Sequence, residues 1–236
     1  CMFQVGATYE PDPMSPDQVK PNIVIIGAGG HATSVANVAL SAGYQIECFI
    51  HDKKGGQECL GYPVFASVSD LQDPTAFHYA IGVGDNAIRE TLHLTLSRQH
   101  KDLHYPPLIH STAVVSSFCT VSEGCILMPG SVLGPNSRME RFSFINTSAS
   151  VDHDCVLHAF SSVAPGSTLG GKVTVGDRAA VSIGAVVKDS IRIGRDAVLG
   201  ANSYLNTNQP ESTVAYGSPA KVVRELTAEE QAGIAG

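Results

Sequence analysis

An α/β, Rossmann-like half-domain followed by a left-handed parallel β-helix of hexapeptide repeats is the fold class the sequence predicts, and three features predict it. Aliphatic residues recur every six positions from Ile109 to Leu205. Small residues recur at the same interval, two positions before the aliphatic ones, from Ala113 to Ser167. Ahead of this repeat, the run Ile23–Ile26 empties into the glycine cluster Gly27, Gly29 and Gly30.

The N-terminal elements follow in order. Residues 22–26 form a buried strand, and the glycines make a turn. A helical pattern runs through Val35, Val38, Ala39 and Ala42 and stops at Gly43. Ile46 to Ile50 form a second strand ending at His51-Asp52, and 79–83 a third that leads into Gly84-Asp85-Asn86. A second helix passes through Ile88 and Leu92. Such a glycine turn lets backbone N–H groups reach phosphate oxygens at a helix N-terminus. The turn matches G-x-G-x-x-A, with Asp52 twenty residues beyond Ala32. Three readings stay open on the motif alone: a dinucleotide site, a turn without a ligand, and a nucleotide-sugar site. The half-domain ends near residue 108, which is short for a full dinucleotide fold.

Pro106-Pro107 marks the boundary with the repeat. Stepping by six from Ile109 through Leu127, Met139, Val163 and Val187 to Leu205 meets an aliphatic residue or Met at every step. Three hexapeptides make one triangular coil, whose aliphatic side chains fill the interior while the small residue lets the backbone turn a corner. Cys119, Cys125 and Cys155 stand in the small-residue column and read as packing residues. A solenoid needs covers at its ends. Thr227 and Glu230 have capping-box spacing, so a terminal helix is expected over about 227–234. The predicted division is an N-terminal extension over 1–20, flexible; a nucleotide-sugar domain over 21–107; the β-helix over 108–225; and a C-terminal helix over 226–236. The chain opens on Cys1, and Met14 precedes the first strand as a candidate start.

A net charge of −7 and the lack of a basic cluster argue against nucleic acid as a partner. No stretch approaches 18 apolar residues and no signal peptide is visible, so a cytoplasmic protein without a membrane span is expected. Six cysteines without a CxxC pair fit a reduced compartment.

One segment of the repeat carries chemistry. His153 stands between Asp152 and Asp154. A hydrogen-bonded carboxylate fixes an imidazole tautomer and raises its basicity, as a general base requires. The alternative is an exposed histidine with solvated neighbours. A zinc site would need further histidines in the His153 column, at Ser117, Pro135, Gly171 and Asp189, and none is there. No metal is expected, and His158 reads as an exposed turn residue.

From about residue 22 to 224 the chain resembles the bacterial nucleotide-amino-sugar N-acetyltransferases of the bacillosamine-pathway type, to which sialic acid O-acetyltransferases are related. The resemblance lies in Gly27-Ala-Gly-Gly-His31, Gly84-Asp-Asn-Ala-Ile-Arg89, Asn146-Thr147, Asp152-His-Asp-Cys155, Ala164-Pro-Gly166 and Tyr216-Gly-Ser-Pro-Ala-Lys221. It implies a cytoplasmic homotrimer that takes acetyl-CoA and a nucleotide-linked amino sugar, with a 4-amino-4,6-dideoxy sugar as acceptor. By the same resemblance His153 is the general base and Asp154 its acidic partner. Gly29, Gly30, His31, His51, Asp52 and Gly84 fall at nucleotide contacts, and Asn146 at a sugar contact. Ser162, Gly171, Ile183 and Ala201 fall at acetyl-CoA contacts, with the Gly171 N–H at the oxyanion. Two positions depart from the pattern: Ser162 stands where some relatives have His, and His51 where Asp is commoner. Alternatives are O-acetylation of a sialic-acid-like hydroxyl and a sugar-nucleotide-binding scaffold without catalysis.

Overall fold

The computed structural model describes residues 20–233, so the predicted extension, Lys20 apart, and the last three residues lie outside it. The N-terminal domain is a five-stranded sheet. Its strands are β1 (Ile23–Ile26), β2 (Ile46–Ile50), β3 (Glu58–Cys59), β4 (Tyr62–Phe65) and β5 (His78–Ile81), in the order β3-β4-β2-β1-β5. All pairings are parallel except β3–β4. Sequence periodicity misses β3 and β4, which are short and include Pro63, a residue that suits only sheet margins. Helix α1 (Gly30–Ser41) covers one face of the sheet, and helix α2 (Asn86–Gln99) follows β5. Gly27 is required by geometry. Its φ is +114°, and a Cβ there would lie 2.9 Å from the Gly82 carbonyl oxygen.

From Leu108 the chain winds into a triangular solenoid. Each aliphatic position of the repeat is the second residue of a two-residue strand, from Leu108–Ile109 to Tyr204–Leu205. Each strand pairs in parallel with its counterpart one coil on, as in Val132↔Ser150. Leu127, Ile145, Leu157, Val163 and Val181 are fully buried in the interior. Burial of this kind is worth roughly 1.5–3 kcal/mol per side chain.

The corners refine the sequence reading. The small residue points into the corner, where Ser131 and Ser143 donate hydroxyls to the Met128 and Glu140 carbonyls. The bend itself is made one residue earlier. From Gly124 to Asn202, every sixth residue has φ between 53° and 67°. Most of these are not glycine, and Phe142, Asp154 and Phe160 are among them. A left-handed non-glycine residue costs roughly 1–2 kcal/mol. The coil offsets this by satisfying its N–H: Asp154 N–H donates to Pro135 O at 2.9 Å, one coil below.

The three faces differ in what they present outward. The docked face, with Leu108, Ile126 and Phe144, packs under α1 in one apolar cluster with Ala32 and Val35. The uncharged face presents Val114, Val132, Ser150, Thr168, Val186 and Tyr204. The basic face presents Arg138 and Arg192. The hairpin Thr213–Gly217/Ala220–Glu225 extends the docked face at its C-terminal end. The terminal helix α3 (Ala228–Gln231) has the expected capping box between Thr227 and Glu230 but is one turn, shorter than predicted.

Candidate active site

His153 and Asp154 form a corner between the uncharged and basic faces, joining strands Ser150–Val151 and Val156–Leu157. The left-handed backbone of Asp154, φ 58°, turns its carboxylate back onto the ring. His153 Nδ1 lies 2.7 Å from Asp154 Oδ2. Asn136, one coil below, donates to the other carboxylate oxygen at 3.4 Å. The Asp154 carboxyl is held below the usual carboxylate range, chiefly by the hydrogen bond from His153. Of the two flanking carboxylates only Asp154 meets the ring. Asp152 accepts the His153 backbone N–H at 2.7 Å instead.

With Nδ1–H given to Asp154, the Nε2 lone pair is left to act as an acceptor. It lies over Gly171, where an added Cβ would be 2.5 Å from Nε2 and 2.6 Å from Cε1. Gly171 is the residue one coil above His153, so only a glycine leaves room for this ring. Its N–H has no backbone acceptor among the described residues.

The nucleotide candidates gather at the C-terminal ends of β1, β2 and β5. Gly29 caps α1 without a side-chain bond, and space is open where Cβ atoms would stand at Gly29 and Gly30. A helix N-terminus left this way favours an anion. His31 packs on Phe144 with ring centroids 5.1 Å apart, and a Cβ at Gly84 would lie 3.6 Å from its Cγ. Its buried Nε2 has no partner among the described residues. Burial, then the charge of Arg89, pushes the His31 pKa down to about 4, so the ring is neutral. His51 Nδ1 and Asp52 Oδ1 both accept the Lys53 N–H, at 3.2 and 2.9 Å. They line a cavity of about 450 Å³ together with Ile26, Val68, Val83, Leu92 and Gln99. Sequence reasoning missed Lys54, whose Nζ donates to Ala28 O at 2.9 Å and brings a cation to the glycine turn. Its only signal was its place shortly after Asp52.

The remaining candidates do not converge with His153 within one chain. Asn146 turns its Oδ1 to the Thr147 N–H, 2.8 Å, at the edge between the docked and uncharged faces. Ile183 and Ala201 lie on that same edge, one coil apart, and Ile183 is exposed. Ser162 lies on the docked face, buried, and accepts a hydrogen bond from Asn86 Nδ2 at 3.0 Å. His153 and Gly171 occupy the opposite edge of the uncharged face.

His158 is half-buried, not an exposed turn residue. Its Nδ1 lies 3.1 Å from Glu140 Oε2, because the two residues stand one full coil apart and stack. With Asp177 they form the one group of three His or acidic side chains, among the described residues, whose donor atoms come within 4.8 Å of one another. Arg138 Nη2 stands 3.6 Å from Glu140 Oε1 and pairs with its carboxylate. Cys119, Cys125 and Cys155 are buried with their thiols pushed up by desolvation, Cys125 to about 11, as packing residues should be.

Comparison with known proteins bears on these features together. The PglD N-terminal domain family matches residues 22–96. A histidine variant of GDP-perosamine N-acetyltransferase from Caulobacter crescentus, solved in complex with CoA and GDP-perosamine, is 32% identical, with a TM-score of 0.80 over 85% of this chain and 96% of that one. The chain belongs to the family of PglD-type N-acetyltransferases. The acetyltransferase domain of PglB from Neisseria gonorrhoeae, in complex with acetyl coenzyme A, is another member of similar shape, at 30% identity and TM-score 0.81 over 86% of this chain and all of that one. The GDP-perosamine N-acetyltransferase of Escherichia coli O157:H7 is 24% identical over 195 residues, 75% of this chain and 82% of that protein. The first curated relatives, by contrast, are matched over only 17 to 35% of their own length. Among the described residues no helix is long and apolar enough to cross a membrane.

Proposed function

We propose that the chain is an acetyl-CoA-dependent N-acetyltransferase acting on the amino group of a nucleotide-linked amino sugar, a 4-amino-4,6-dideoxy sugar, with His153 as general base. The observation that carries this reading is the His153–Asp154 pair, held at 2.7 Å with Nε2 free above Gly171. The relatives solved with CoA and GDP-perosamine, or with acetyl coenzyme A, support the two substrates.

The sugar amine attacks the thioester carbonyl carbon while His153 Nε2 takes its proton. Asp154 holds Nδ1–H and stabilises the imidazolium as it forms. The Gly171 N–H stands beside the same space and stabilises the developing oxyanion. The new C–N bond is complete when the C–S bond breaks, and the proton on His153 passes to the departing CoA thiolate. The nucleotide is held by the α1 N-terminus, Lys54 and the cavity beside His51 and Asp52.

A homotrimer completes the site. His153 and Asp154 are each nearly half exposed, too wet for efficient base catalysis in a lone chain. The uncharged face is flanked by the two edges that hold the separated candidates, and its Val114 and Val186 are exposed. Three chains packed with this face inward, about an axis along the solenoid, set the His153 edge of one against the Asn146–Ile183–Ala201 edge of the next.

Thiol release from acetyl-CoA, measured with a panel of UDP-, GDP- and dTDP-linked amino and hydroxy sugars, tests the reading. Turnover with an amino sugar is expected, and His153→Ala should lower it about 10²–10⁴-fold. Turnover with hydroxyl acceptors alone would make the chain an O-acetyltransferase. Near-normal turnover in His153→Ala would sink the base assignment.

A further inference from the structure

Arg89 is the largest fully buried side chain, and among the described residues no carboxylate is paired with it. Its guanidinium is saturated by oxygens of two kinds. Toward its own domain, Nη1 donates to Val83 O and Gly84 O at 3.1 and 3.2 Å, and Nη2 to Asn86 Oδ1 at 2.8 Å. Toward the β-helix, Nε donates to Phe142 O at 3.0 Å and Nη2 to Phe160 O at 2.7 Å. A planar fork with five donors suits such a junction, and a lysine cannot span it.

The two β-helix carbonyls are not arbitrary. Phe142 and Phe160 are left-handed corner residues on adjacent coils, stacked ring on ring at 5.2 Å. They bracket one complete coil. The other two corners of that coil carry Asn146-Thr147-Ser148 and His153-Asp154. The loop that Arg89 grips on its other side holds Gly84, which rests on His31. Asn86 reinforces the tie, donating to Arg178 O and Ala179 O at 2.9 and 3.1 Å.

We infer that Arg89 is a positioning residue that fixes the height of the sugar-nucleotide loop along the solenoid, level with the coil that carries the general base. A threefold axis parallel to the solenoid preserves height. The loop of one chain is therefore level with His153 of its neighbour as well as with its own. This rests on the acyl-transfer reading above. Arg89 touches neither substrate and acts through the loop and the coil it joins.

The test uses the full chain with Arg89→Met and Arg89→Lys. Rates are expressed per folded molecule by titrating bound CoA. The dissociation constants of the nucleoside diphosphate and of CoA are measured beside kcat for the sugar nucleotide. A loop displaced by about 1 Å should lose about 10²-fold in kcat. Both dissociation constants should stay within about threefold, since the nucleotide cavity lies within the N-terminal domain and His153 is untouched. Arg89→Lys should fall between wild type and Arg89→Met, and it carries the comparison if the Met variant does not fold. A kcat per folded molecule close to wild type would overturn the inference. So would loss of nucleotide affinity in step with kcat, which would make Arg89 a builder of the loop alone. A wild-type protein inactive with every sugar nucleotide would refute the acyl-transfer reading, and this inference with it.

Discussion

Replacing Gly171 with Ala isolates the space that His153 needs. The added Cβ would stand 2.5 Å from Nε2 and 2.6 Å from Cε1, where ordinary contact begins near 3.4 Å. The ring must retreat by about 1 Å or rotate away. Either movement breaks the 2.7 Å bond to Asp154 or misplaces Nε2. Gly171 is not among the left-handed residues, so alanine meets no backbone penalty and the coil should persist. A misplacement of about 1 Å in a reacting group costs up to about 10²-fold, or about 2.7 kcal/mol of transition-state stabilisation. Stopped-time thiol release gives kcat, and thermal unfolding checks the fold. An unchanged melting temperature with kcat down about 10²-fold is the expected pair. Wild-type kcat in Gly171→Ala would refute the placement of the reaction above this glycine.

Other consequences can be measured alongside. His31 has a folded pKa near 4, below its ordinary 6.5, so the unfolded chain binds the extra proton between those values. Its contribution, at most about 3 kcal/mol, is full above pH 6.5 and lost as pH falls toward 4; urea unfolding of His31→Gln should show a flatter pH dependence in that window, and parallel curves would count against it. Gly124 has φ +66°, and a Cβ there would lie 2.3 Å from the buried Phe142 ring, so Gly124→Ala should lower stability by about 2 kcal/mol or more, read from the urea midpoint. Val186→Lys places a charge on the exposed uncharged face; sedimentation should show monomers, with turnover lost and the fold kept, whereas an active trimer would move the interface elsewhere.

Much of the candidate site was legible because its parts are local. His153 and Asp154 are neighbours in the chain, and the glycine turn is one short run. The period of six located every inward side chain, since one coil is three such units whatever surrounds it. That same register stacks His158 on Glu140, one coil below it. The left-handed corners were less visible. A corner normally advertises itself through glycine or asparagine, and Phe142 and Phe160 do neither. They hold that conformation because the neighbouring coil accepts their N–H and the aromatic cluster with His93 and Tyr105 packs their rings.

Arg89 shows the limit most clearly. Its bonds to the β-helix end on the carbonyls of Phe142 and Phe160, and a backbone carbonyl is the same atom in every residue. No pattern of side chains encodes such a contact. By itself, then, the sequence determined the solenoid, its interior, the glycine turn and the histidine with its carboxylate, because each follows from short-range periodicity or adjacency. Tertiary structure alone decided which edge each candidate occupies and how high the Gly84 loop sits. Those depend on docking one domain on another through backbone groups that carry no residue identity.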